Sequence, residues 1–288
     1  MDLSICLVTL NTIAYLEPLL ASIKKHTQEL SYELIVVDNA STDGTVDWIE
    51  QNYPEATLIR NQSNLGYTRG NNQAMALAKG DFLLLLNPDT LLTEGCFGPQ
   101  IAYLRENPEA GISIPKVLNA DGSFQKQSRR GDARPVEVFG YFLKLGKLFP
   151  KNRALNGYLQ SWLPEDEVAE VKAVSGSCMF IRREVYEKIG GLDEQFFAYQ
   201  EDSDYCLRAR QSGWKVMYVP LSSIIHYGGE GGSKTNPYHS IFQWHRSYYL
   251  YYRKHFAREH FFLFNWFYYL VMLAKLLFAW LKRFLRGK

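Results

Sequence analysis

Apolar and polar positions alternate in blocks over the first ninety residues. Leu3 to Thr9 is a short apolar run suited to a buried strand, and Asn11-Thr12 precedes a helical pattern with Leu16, Leu19, Leu20 and Ile23 on one side. Leu34-Ile35-Val36-Val37-Asp38 predicts a second strand, closed by the polar turn Asn39 to Gly44. Thr57 to Ile59 predicts a third, followed by Asn61 to Gly66, and a helix from about Thr68 to Ala78 leads into Phe82 to Leu86. That last run is apolar at every position, the pattern of a strand buried on both faces, and it stops at Asn87-Pro88-Asp89-Thr90. Strand alternating with helix implies βαβ units and a parallel sheet. Right-handed crossovers then place all the intervening loops along one edge, at the carboxyl ends of the strands, where ligands of open α/β sheets gather.

That edge collects Thr9, Asn11, Asp38, Asn39, Ser41, Asn64, Gly66 and Asn71. A carboxylate at position 38 can accept hydrogen bonds from a nucleobase edge, and Asn64 with Gly66 offers a compact polar loop for ribose or phosphate. The same residue types are also plain turn formers. Asp89 has two readings as well. It can serve a hard divalent cation shared with phosphate oxygens, or cap a helix beginning near Thr93.

Beyond Thr90 the periodicity changes. Ile112 to Leu118, the Asp121-Gly122-Ser123 turn and the Arg129-Arg130…Arg134 cluster read as strands and loops outside the parallel unit. Those arginines suit a lipid diphosphate or membrane phosphates, or a solvated surface. Residues 136–170 have weak periodicity and read as a loop region that covers or admits a second substrate. Order resumes with a strand over Val171 to Arg182 containing Ser175-Gly176-Ser177, then a short helix from Glu184 to Ile189. Gly176 permits close approach of backbone to a ligand, or marks a bulge. Glu201, Asp202 and Asp204 enter a helix, where adjacent carboxylates suit capping and the macrodipole, with Asp204 and Arg208 spaced as an ion pair. His226 follows an apolar pair, and Gly228 to Gly232 suggests a loop that closes over substrate.

A net charge of +2 gives no general attraction for nucleic acid, and none is expected as a partner. The four cysteines, at 6, 96, 178 and 206, lack paired spacing for zinc or redox work and are expected as buried free thiols. The N-terminus enters a strand directly, without the pattern of an export signal, so the body is expected to stay in the cytosol.

Taken together, VVDNASTDGT, NLGYTRGNNQA, LLLLNPDT, GGLDEQFFAYQEDSDYCLRARQSGW and IIHYGGEGGS resemble the large inverting GT-A glycosyltransferase family, in particular its bacterial rhamnosyltransferase-like branch. The resemblance spans roughly residues 3–257. It implies an α/β fold of GT-A type, a Rossmann-like nucleotide-binding mixed sheet flanked by helices. Residues 1–235 would form the catalytic domain, with 1–110 binding the nucleotide sugar and 111–235 the acceptor, and 236–288 would be membrane-associating C-terminal helices. It further implies that Asp38 reads the base beside Thr9, Asn11, Asn39 and Ser41, that Asn64, Gly66 and Asn71 line nucleotide and diphosphate, and that Gly176 approaches the donor. Asp89 matches the second acid of the metal-binding DxD motif, with Asn87 replacing the first. His226 matches a position that contacts the metal, Mg2+ or Mn2+, or the diphosphate. Asp202 matches the general base, with Glu201 beside it. The implied reaction is transfer with inversion from a nucleotide-sugar donor to a saccharide acceptor, polyprenyl-linked, in bacterial cell-surface polysaccharide synthesis. dTDP-rhamnose is the favoured donor, with UDP-hexoses and galactofuranose as alternatives. Rival readings are a sugar nucleotidyltransferase, which would want a glycine-rich basic loop where Thr9 to Ala14 stands, and a membrane scaffold that binds nucleotide sugar without turnover.

The C-terminal tail is a different object. Residues 261–281 form an apolar run that would span about 31 Å as a helix, enough to cross a bilayer. Asn265, Lys275, Lys282, Arg283 and Arg286 fall within an arc of about 100° on a helical projection, leaving Trp, Phe and Leu elsewhere. The basic end would also have to be translocated if the helix spanned. Residues 261–286 are therefore expected to lie in the plane of the cytoplasmic face of the bacterial inner membrane. A spanning helix and a buried homodimer interface are the alternatives. The preceding helix, Ser240 to Lys254, is aromatic and expected to pack on the body.

Overall fold

The computed structural model describes residues 1–27, 29–93, 95–149, 151–229 and 236–286. Its frame is the parallel unit read from the sequence. Strands β1 (Leu3–Thr9), β2 (Tyr32–Asp38), β3 (Thr57–Arg60) and β4 (Phe82–Leu86) lie in the order β3-β2-β1-β4. Helices α1 (Ile13–His26), α2 (Thr45–Asn52) and α3 (Gly66–Leu77) make the crossovers. Every residue of β1 and β4 is buried, as continuous apolar runs in a two-sided parallel sheet require. The β1–β2 register ends at Thr9 opposite Asp38, so the polar residues that close both strands share one edge.

The second half of the chain extends this same sheet rather than standing apart from it. After β5 (Thr90–Leu92) and α4 (Phe97–Glu106) comes β6 (Ala110–Leu118). Then follow β7 (Arg129–Arg130), α5 (Pro135–Phe142), α6 (Leu145–Leu148), α7 (Arg153–Asn156), β8 (Ala169–Glu170) and β9 (Ala173–Val174). Next are β10 (Cys178–Arg182), α8 (Arg183–Ile189), α9 (Glu201–Gln211) and β11 (Lys215–His226). The nine-stranded sheet continues β4-β10-β6-β11-β5, with β8 on β11, while β7 and β9 form a separate pair. Strand β10 runs antiparallel to both β4 and β6, so the sheet is mixed. Ile112 to Leu118 lies outside the parallel β3-β2-β1-β4 unit, as expected, but within the same sheet, between β10 and β11. The weakly periodic 136–170 region holds three short helices rather than one loop, and the strand expected over Val171 to Arg182 breaks at Ser175-Gly176-Ser177. The helix after Asp89 begins only at Phe97, so Asp89 does not cap it.

Two apolar clusters organise the interior. The larger is built from the sheet and helices α1–α4, α8 and α9. The smaller joins Val138, Tyr158, Phe196 and Leu207 of the body to Tyr248, Tyr251, Tyr252, Tyr268 and Met272 of the last two helices, α10 (Pro237–His255) and α11 (Phe262–Arg286). All four cysteines are buried and unpaired, as expected.

Gly80, just ahead of β4, shows how closely the sheet edge is packed. A Cβ there would lie 2.6 Å from the carbonyl carbon of Leu3 and from the amide nitrogen of Ser4. Backbone cannot yield as a side chain can, so Gly80→Ala is expected to lower stability by about 1–3 kcal/mol in urea unfolding. Gly98, in α4 with nothing within 4 Å of its built Cβ, is the contrast. Gly98→Ala should raise stability by about 0.4–1 kcal/mol.

Candidate active site

A cavity of about 790 Å3 opens at the carboxyl ends of β1 and β4. The loops at its walls are tied to one another by side chains. Asp38, buried at the end of β2, accepts the Thr9 hydroxyl at 3.0 Å and the Ser41 amide at 2.8 Å. Asn11 accepts the Thr42 amide at 2.7 Å, and the Ser41 hydroxyl accepts the Asn11 amide at 2.9 Å. Asn39 donates to the Gly66 carbonyl at 3.1 Å, and Asn64 accepts the Gly66 amide at 2.9 Å. Gly66 has φ +87°, and a Cβ there would meet the Phe197 carbonyl oxygen at 2.5 Å, so only glycine fits. Thr9, Asn39, Asn64 and Gly66 border the cavity directly. Asp38, Asn11 and Ser41 stand behind that wall, and Asn71 is buried in α3 with its amide given to the Tyr67 carbonyl at 2.9 Å.

Strand pairing brings the next pair together. His226 at the end of β11 pairs with Thr90 of β5, and the Tyr227 amide donates to the Asp89 carbonyl at 3.0 Å. The result is His226 Nε2 at 3.3 Å from Asp89 Oδ1, with the Asn87 amide 3.2 Å from the same nitrogen. His226 Nδ1 faces Gln125 Oε1 at 2.8 Å, a contact in which the ring nitrogen donates. A second partner that fixes the tautomer in this way is the usual support of a metal-ligating histidine. A carboxylate and an imidazole nitrogen side by side suit a shared cation. Among the described residues no group of three His, Cys, Asp or Glu is assembled, so a cation here would take its remaining ligands from diphosphate and water.

Across the cavity the chain turns into α9 through two successive residues with positive φ, Tyr199 at 70° and Gln200 at 63°. Such backbone costs about 1–2 kcal/mol per residue and is held only where the surroundings dictate it. The turn presents Glu201 and Asp202 to the same cavity that Asp89 lines. Asp202 pairs with the buried Arg130 at 2.6 Å, accepts the Gly176 amide at 3.1 Å on the same oxygen, and accepts the Ser203 amide at 2.6 Å on the other. Glu201 is the opposite case. Burial, then the neighbouring Asp202 charge, pushes its carboxyl up to about 8, and its Oε2 has no hydrogen-bond partner.

Residues 4–190, which supply most of the walls of this cavity, match Glycosyl transferase family 2. The chain belongs to that family. This glycosyltransferase is 29% identical over 260 residues to the N-acetylglucosaminyl-diphospho-decaprenol L-rhamnosyltransferase of Mycobacterium tuberculosis, covering 86% of the chain and 83% of the relative. It is 25% identical to the rhamnosyltransferase WbbL of Escherichia coli, covering 80% and 84%. Among solved structures it resembles the mannosyltransferase PcManGT of Pyrobaculum calidifontis in complex with GDP-Man and Mn2+. The TM-score is 0.60 at 17% identity, over 88% of this chain and 63% of that one. The GT-A fold read from the sequence is thus the fold of this glycosyltransferase.

Three residues of the site escaped the sequence reading. Arg130 appeared only as one of a basic cluster, and the structure dissolves that cluster. Arg129 is spent on the carbonyls of Leu163 and Pro164, Arg134 on Glu259, and Arg130 alone reaches Asp202. Gln125 lies outside every motif, and Tyr67, whose hydroxyl donates to the Gly176 carbonyl at 2.7 Å, lies inside NLGYTRGNNQA but was not singled out there. The Asp204–Arg208 pair is present at 2.8 Å, and Asp204 also takes Lys254 and His255, so it belongs to the packing of α10 on α9. The expected closing loop at 228–233 falls mostly outside the described residues.

The raised Glu201 sets the sign of a pH effect. Between its ordinary 4.5 and about 8 the folded protein holds a proton that the unfolded chain releases, so stability falls as pH rises through that window. Thermal unfolding should show Glu201→Gln gaining on the wild type from pH 5 to pH 9, roughly over that window. A constant difference would remove Glu201 as the titrating group.

Proposed function

We propose that the protein transfers rhamnose from dTDP-rhamnose to a saccharide carried on a polyprenyl diphosphate, by single displacement with inversion. The observation that carries this reading is the convergence of Asp89, His226, Glu201 and Asp202 on one cavity whose other wall is the polar loop edge. The two rhamnosyltransferase relatives, one of them named for a diphospho-decaprenol acceptor, support the choice of sugar and acceptor.

In this reading Asp38 holds Thr9 and the Ser41 loop in place around the thymine, with Asn39 beside them, and Asn64 with Gly66 shapes the ribose and diphosphate end. Asp89 and His226, with Asn87, would hold Mg2+ or Mn2+. Bound there, the cation would offset the negative charge that grows on the departing diphosphate. Asp202 takes the proton of the acceptor hydroxyl as it attacks the anomeric carbon. Arg130 and the Gly176 amide keep that carboxylate aimed into the cavity, while the aromatic side formed by Tyr141, Phe142, Trp244 and Tyr248 excludes water from the acceptor.

A second assignment of the base has one observation in its favour. Glu201 has a free buried oxygen and a pKa near working pH, whereas both oxygens of Asp202 are already bonded. Transfer assays with dTDP-rhamnose, Mg2+ and N-acetylglucosaminyl-diphospho-polyprenol decide between them. Asp202→Asn is expected to lower kcat by about 10²–10⁴ while donor Kd changes by less than about threefold. Glu201→Gln should cost less than about tenfold. The reverse order would transfer the role to Glu201, and turnover only with other nucleotide sugars would overturn the donor.

We further propose that α11 holds the protein on the cytoplasmic face of the bacterial inner membrane. It is long and apolar enough to cross a bilayer, yet its polar positions are arranged differently from the solvent-facing arc expected. Asn265 bonds the Tyr252 hydroxyl and the Ala257 carbonyl, and Lys275 lies on Phe142 and Trp244, so this part of the arc docks on the body. Trp266, Phe267, Leu270, Leu273, Leu277 and Phe278 are exposed on the remainder. An apolar face turned away from the protein, ending in exposed Lys282, Arg283 and Arg286, suits in-plane binding to anionic lipid. Leu270→Glu with Leu273→Glu should lower binding to phosphatidylglycerol vesicles by about tenfold or more in flotation. Carbonate at high pH should release the wild type, and retention would favour a spanning helix.

A further inference from the structure

The helices between β7 and β8 leave apolar side chains in solvent. Leu143, Leu148 and Phe149 are 65%, 73% and 55% exposed, all within one stretch of seven residues. A packed unit carries them. The Asn156 amide of α7 donates to the Phe149 carbonyl at 3.0 Å, and a Cβ on Gly140 of α5 would lie 2.4 Å from the Leu155 carbonyl oxygen. Apolar surface that an ordered unit holds out of the core, against the hydrophobic effect, marks a contact surface.

Charge says what that surface meets. From Val138 to Pro164 the chain carries no acid and four cations, Lys144, Lys147, Lys151 and Arg153, each exposed. A second copy docked patch to patch would set these cations against their own kind. Anionic lipid offers the complement, acyl chains for the leucines and phenylalanine and phosphates for the cations. The location agrees. Phe142, the residue before Leu143, borders the cavity and has the Lys275 ammonium of α11 at 3.5 Å from its ring centroid. Phe139 packs on Tyr268 of α11 at 6.0 Å. The patch therefore starts beside the tail helix and beside the aromatic side of the cavity.

We propose that residues 143–149 form a second contact with anionic lipid, separate from α11. Leu143, Leu148 and Phe149 enter the boundary between headgroups and acyl chains, and the four cations meet lipid phosphate. This rests on the membrane attachment proposed above for α11 and adds a point off the axis of that helix, which resists rolling of the body about it.

The test uses full-length protein. Its native cysteines are buried, so one introduced cysteine gives a selective label. Leu148→Cys, Leu273→Cys and Gln51→Cys, the last exposed on α2, are each labelled with nitrobenzoxadiazole, whose emission rises in apolar surroundings. With phosphatidylglycerol vesicles, emission at positions 148 and 273 is expected to rise at least about twofold and at position 51 to stay unchanged. A rise at 273 alone overturns the second contact and leaves the α11 reading standing. A rise at 148 alone does the reverse, and no rise at either overturns both. A rise at all three would mean indiscriminate adsorption and overturn the patch. So would a rise at 148 without lipid as protein concentration increases, which would assign the surface to a second copy. In unlabelled protein, Leu148→Glu with Phe149→Glu should lower vesicle affinity about fivefold or more. Lys144→Glu with Lys147→Glu should lower it about tenfold for phosphatidylglycerol and leave phosphatidylcholine unaffected. Unchanged affinity in both variants sinks the proposal.

Discussion

The amide of Asn87 donates to the carbonyl of Ser177 at 3.0 Å, and the site depends on the seam that this bond closes. Strand β10 runs antiparallel to β4 with Cys178 opposite Leu86, so the residues just before β10 arrive beside the residues just after β4. Gly176 is thereby placed to offer its amide to Asp202 and its carbonyl to Tyr67. A register shift of one residue along this seam would turn every side chain of β10 to the opposite face and carry Gly176 away from Asp202. The first and second halves of the chain are thus one continuous sheet, and the spacing of the side chains at the cavity is set by backbone hydrogen bonds rather than by a flexible hinge.

The parallel half was legible because its signals are local. Apolar runs such as Phe82 to Leu86 admit one reading, and the polar residues closing each strand mark the functional edge whatever their partners. The later half was less legible because its order is non-local. Ile112 to Leu118 finds its place between β10 and β11, strands that begin 60 or more residues further on, and no pattern within the strand announces this. Arg130 could be told from Arg129 and Arg134 only by knowing which carboxylate or carbonyl each meets in space. The arc of polar residues on the tail was read correctly as an arc. Its direction could not be read, because a helix projection gives angles between side chains and not the location of the body.

The adjacent carboxylates Glu201 and Asp202 illustrate how one turn gives two electrostatic environments. Asp202 has the Arg130 guanidinium and two backbone amides as partners. Glu201 is buried with no cation of its own and beside the Asp202 charge, so its neutral form is favoured. Helix α9 would seat either residue comfortably at its first turn, so the backbone strain at Tyr199 and Gln200 serves their direction rather than helix formation.

The docking of Asn265 and Lys275 on the body has a consequence for how the molecule sits in its surroundings. Because the inward stripe of α11 is stitched through Tyr252, Tyr268 and Met272 into the same cluster as Phe196 and Leu207, the tail is a fixed strut and not a tether. A strut cannot drift at the end of a linker to sample angles. Whatever plane its outer face adopts is imposed on the whole protein, and with it the height and tilt at which the cavity meets anything projecting from that plane.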